Sequence, residues 1–131
     1  MKTRFLLCAL VGPFLSLVQV SAKNIFVVEG PEEVYNRIRV VNETSQTDFT
    51  CRIVKLSADE STQQVYGVFN LKGRDDEDSV TDRFPRGTKF AIQMQKDFPT
   101  EISYYIEYKD CPLFDVVIVH LTDPSTEFNE D

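Results

Sequence analysis

The sequence predicts an all-β domain, an antiparallel meander of about six short strands. Two features carry that expectation. Apolar residues alternate with polar ones at period two over most of the chain, and turn-forming clusters break the alternation at regular intervals. Helical periodicity is nearly absent, and a meander of this kind must close into a barrel or pack against something.

The chain has 131 residues, enough for one domain. Lys2 and Arg4 precede an apolar run from Phe5 to Val20, and Val20-Ser21-Ala22 offers small residues at a cleavage position. Residues 1–22 therefore read as a secretory signal peptide and residues 23–131 as the mature, extracellular domain. Gly12 and Pro13 interrupt the run, and it falls short of the roughly 20 apolar residues a membrane span needs.

Within the mature part, Lys23–Glu33 holds a turn or two of helix at most, with Pro31 at a helix start. Val34–Val41 is the first strand, and Phe49–Leu56 follows the polar loop Asn42–Asp48. Gln64–Lys72 alternates over the next stretch, and Arg74–Asp82 reads as an acidic loop. Thr88–Gln95 puts Phe90, Ile92 and Met94 on one face. Glu101–Lys109 does the same with Ile102, Tyr104, Ile106 and Tyr108. Leu113–Leu121 is a nearly unbroken apolar strand, and Thr122–Asp131 is a polar, frayed tail.

Charge narrows the partners. All 21 acidic residues follow residue 22 and two of the 14 basic ones precede it, leaving 12 against 21 and a mature net charge of −9. Nucleic acid and anionic membrane are disfavoured, and cationic ligands or basic protein surfaces are favoured. Cys8 leaves with the signal, so Cys51 and Cys111 either form one disulfide or serve partners elsewhere. Two distant cysteines and the lone His120 give no metal-ligand spacing, and His120 reads as a satisfied strand residue. No nucleophile–base pair, phosphate loop or dinucleotide fingerprint occurs, so no enzyme, metal or cofactor is expected. The carboxylates Asp75 and Asp76 read as a solvated turn. Asn42-Glu43-Thr44 is a glycosylation sequon in a loop.

Several local motifs point to a family. Val34-Tyr35 opens the first strand, Thr47-Asp48-Phe49-Thr50-Cys51 leads into the second, and Tyr104–Cys111 (YYIEYKDC) precedes a hydrophobic strand. Their order and the two cysteine positions resemble the tick salivary lipocalins of the histamine-binding type, over about Glu32–Val119. The resemblance implies an up-and-down antiparallel barrel with an internal ligand chamber and a short N-terminal helix. It also implies a secreted protein that sequesters a small host mediator, a biogenic amine such as histamine first and a lipid mediator next, to suppress inflammation.

The chain departs from that pattern where Cys111-Pro112 replaces Cys-Asp and where a later Glu-Leu-Trp segment is absent. The expected barrel is thus incomplete, with about six strands and an open edge beside Leu113–Leu121. Family partners of Cys51 and Cys111 lie in that absent part, so the two thiols are free or pair with each other. Family parity puts Tyr104, Ile106, Tyr108 and Asp110 inward, with Tyr35 as a further ligand candidate. Tyrosine faces would meet a cation and Asp110 would supply its counter-charge.

A second resemblance is of another class. Gln63-Gln64-Val65-Tyr66-Gly67 matches the Q-x-V-x-G wedge of cystatins. It implies a cysteine-protease inhibitor or a protein-binding immunomodulator. The plainer expectation is an ordinary strand with a glycine at a bend or bulge.

Overall fold

The computed structural model describes residues 24–112 and 115–124. The expected signal peptide, the end of the polar tail and the first two residues of the last apolar run lie outside them. Eight strands are described: β1 (Ile25–Val27), β2 (Val34–Glu43), β3 (Phe49–Leu56), β4 (Gln63–Leu71), β5 (Glu77–Pro85), β6 (Lys89–Met94), β7 (Ser103–Asp110) and β8 (Asp115–Thr122).

They form two four-stranded sheets. Sheet one has the order β1-β6-β3-β4 and sheet two the order β5-β2-β8-β7. Chain neighbours pair only at β3–β4 and β7–β8, and β2 runs parallel to β8. The all-β class is therefore as expected, while the up-and-down order is replaced by crossing connections between two sheets. Local alternation fixes which residues share a face but carries nothing about which strand lies beside which, and that is why the order was not legible.

Two further expectations are corrected. Residues 25–27 of the expected helix are instead a strand, because Ile25, Phe26 and Val27 pair with Ala91, Phe90 and Lys89 of β6. Most of the expected loop Arg74–Asp82 is strand as well, and β5 pairs with β2 from Val34↔Pro85 to Val41↔Glu77. β5 lies at a sheet edge, where charged side chains are the usual protection against further pairing, so Glu77, Asp78 and Asp82 disguised it as a loop.

The core lies between the sheets. Phe49, Cys51 and Ile53 of β3, Phe69 and Leu71 of β4 and Phe90 and Ile92 of β6 face Tyr35, Ile38 and Val40 of β2 and Val117, Val119 and Leu121 of β8. Aromatic rings fill the end nearest the β1–β2 loop. Phe84 meets Phe90 edge-on at 5.3 Å, and Tyr66 meets both of them in the same way. Such dense filling leaves the interior to side chains.

Candidate functional site

The turn between β1 and β2 begins the candidate site. Gly30 adopts φ +93°, a left-handed conformation that glycine enters without steric cost. The turn is held by two tyrosines from sheet two. Tyr35 donates its hydroxyl hydrogen to Glu29 O at 2.8 Å and accepts from Glu32 N at 3.3 Å. The Tyr108 hydroxyl accepts from Glu29 N at 2.8 Å. The two rings lie 5.7 Å apart, and Arg86 Nη1 donates to Gly30 O from the far side.

Below this turn the β7–β8 hairpin closes on the pair Asp110↔Asp115. Together with Glu32 these carboxylates bring one oxygen each within 4.8 Å of one another. The Asp115 carboxyl is held above its usual range, first by its hydrogen bond with Asp110, then by burial and by the charges of Glu32 and Asp110. Three carboxylates this close repel one another when ionised, and a proton or a cation relieves them. They are the described residues best able to hold a cation, organic or metallic.

Of the five expected ligand residues, the structure brings Tyr35, Tyr108 and Asp110 together at this end. Tyr35 is itself a fully buried core residue, and Tyr104, Ile106 and Tyr108 share the inward parity of β7 and all pack against the core, Tyr104 against Phe26 at 6.0 Å. Burial pushes the Tyr104 and Tyr108 hydroxyls up from their ordinary value. Sequence reasoning missed Glu32 and Asp115. The one signal available was the symmetry of Asp110 and Asp115 about Pro112-Leu113 in the sequence, which is what a hairpin base requires.

The remaining expected site residues fall elsewhere. Cys51 and Cys111 are both free, so the structure shows no Cys51–Cys111 bridge. Cys51 faces the core, and burial followed by the charge of Asp78 pushes its thiol up to about 12. A thiol titration with a disulfide-exchange reagent should therefore modify Cys111 alone in the folded protein and both thiols in denaturant.

Asn42 sits at the buried end of β2 with no exposed surface, not in an open loop. Its Nδ2 donates to Gln46 O at 3.0 Å and Gly73 O at 2.9 Å, and its Oδ1 accepts from Thr44 N and Thr44 Oγ1. A glycan on Nδ2 would have to displace the contacts to Gln46 O and Gly73 O.

Gln63–Gly67 is not a free hairpin tip. It pairs with Leu56–Ile53 of β3, and the ladder shifts register between Ile53 and Val54, opposite Gly67 and Val65. A Cβ at Gly67 would meet Phe69 at 3.0 Å and Val80 at 3.2 Å, so the glycine serves the bulge and its packing.

No helix among the described residues is long and apolar enough to cross a membrane. Comparison with protein-family models, with curated proteins and with solved structures found no match to this chain.

Proposed function

We propose that this protein is a secreted, non-enzymatic binder that sequesters a small cationic host mediator, a biogenic amine such as histamine, and so suppresses inflammation. The observation that carries the reading is the convergence of Glu32, Asp110 and Asp115 beside the Tyr35–Tyr108 pair. An ammonium group suits a set of carboxylates that repel one another, and the partly exposed Tyr108 ring suits its alkyl or aryl body, while the buried Tyr35 holds the turn behind it. The mature charge of −9 and the motif order shared with the histamine-binding lipocalins support the same reading.

The ligand in this reading lies at the end of the sandwich. A lipocalin-like central chamber would have to open between rings such as Phe84 and Phe90, which now touch.

Calorimetric titration of the mature protein with histamine and with serotonin tests the proposal. Binding should weaken about tenfold, the equivalent of about 1.4 kcal/mol, in Asp110→Asn or Glu32→Gln. Absence of heat with either amine would sink it. The pH dependence has a definite sign. The Asp115 carboxyl is held above the usual carboxylate range, and a cation must displace its proton, so affinity rises as pH climbs through that raised range and falls on acidification.

A further inference from the structure

The outer face of sheet two carries the one histidine of the chain, and three strands meet there. His120 of β8 is flanked in register by Val41 of β2 and Tyr105 of β7. Its Nδ1 lies 2.6 Å from Glu43 Oε2 on β2, and its Nε2 lies 2.8 Å from Glu107 Oε1 on β7. The Tyr105 ring stacks flat on the imidazole, with centroids 4.3 Å apart and planes within 4°. The Tyr105 hydroxyl donates to Glu43 Oε1 at 3.3 Å. One strand further on, Arg39 of β2 and Glu77 of β5 face each other at 3.8 Å.

A neutral imidazole has one N–H and one lone pair. It can donate to one carboxylate only, and its other nitrogen then points a lone pair at the second carboxylate. Both contacts are hydrogen bonds only when the ring carries a proton on each nitrogen. β7 is an edge strand whose sole partner in the sheet is β8, so the contact through His120 to Glu43 reaches past that partner to β2.

We propose that Glu43–His120–Glu107 is a proton-operated latch that ties edge strand β7 to β2 across β8. It is closed while both ring nitrogens are protonated and half open once one proton leaves. Glu107 is the arm that lets go, because its side chain is 47% exposed against 26% for Glu43 and regains water at less cost. Release loosens the strand that bears Tyr108 and Asp110. That last consequence rests on the reading of those residues as a ligand site, whereas the latch itself does not.

Amide hydrogen exchange of the mature protein, expressed as protection factors, tests the latch without any ligand. It is run at about pH 5.5 and about pH 8.5, on either side of the range in which histidines titrate. Protection of the β7 amides, referenced to β3 of sheet one, should fall roughly fivefold at the higher pH in the unmodified chain. It should be independent of pH in Glu107→Gln, because the amide can accept from a ring N–H and donate to a ring lone pair. Should that variant fail to fold, Glu43→Gln replaces it with the same expectation. An unmodified chain whose β7 protection ratio is the same at both pH values overturns the proposal, as does a variant that retains the full pH response.

Discussion

Replacing Asn42 with alanine should destabilise the protein by about 3 kcal/mol or more, seen as a lower denaturant midpoint at unchanged slope. The side chain is fully buried, and its removal takes a donor from Gln46 O and from Gly73 O, which keeps only Asp76 N, and leaves the Thr44 donors without their acceptor. Those groups come from the end of β2, the loop after it and the β4–β5 connection, so one amide fastens three chain segments. An unsatisfied buried polar group costs about 1–3 kcal/mol. Asn42→Asp is the sharper variant. It keeps the acceptor for Thr44 but sets carboxylate oxygens against two carbonyl oxygens, and it should be at least as damaging although it adds no atoms. Intact mass of the protein expressed in a glycosylating host should show no glycan at residue 42. A fully glycosylated, folded product would overturn the assignment of Asn42 as a structural residue.

Gly30→Ala should cost a similar amount, about 3 kcal/mol, for a different reason. The backbone there has φ +93°, and an added Cβ would collide with the Tyr35 hydroxyl and lie 2.8 Å from Tyr108 Cγ. Strain and overlap therefore act together, and both tyrosines belong to the candidate site. Gly87 supplies the internal control. Its φ is +98°, yet nothing lies within 4 Å of its missing Cβ, so Gly87→Ala should lose only the conformational part, about 1 kcal/mol. Equal losses at the two positions would mean that contact with Tyr35 and Tyr108 contributes nothing. Tyr108→Phe, which removes only the hydroxyl bonded to Glu29 N, should fall near 1 kcal/mol.

How much of this could be read beforehand follows a physical pattern. β7 announced itself by alternation, and β8 by an apolar run that matches its burial on both faces from Val116 to Val119. β5 did not, because an edge strand carries charges where an inner strand carries valine. β1 has three residues, too few for any period to show. Strand order was hidden for a deeper reason, since β2 meets β8 through residues as far apart as Glu43 and Thr122, and no local window contains both. At the site, parity along β7 placed Tyr104, Ile106 and Tyr108 on the inward face, and a strand position alone suffices for that. The company that Asp110 keeps depends on a turn and a hairpin base, so Glu32 and Asp115 stayed invisible. His120 was read as a satisfied strand residue, yet its partner Glu43 is 77 residues distant and could not be named.

The parallel pairing of β2 with β8 also sets the order of events during synthesis. β2 is among the first strands to emerge from the ribosome, and its central partner is the last. Until residue 122 has been made, β2 can pair only with β5, and the edge meant for β8 stays open. Sheet two therefore cannot assemble progressively as a meander would. The nascent chain must carry β2 with one edge open until β8 is made, and long-range closure of this kind makes for slow folding.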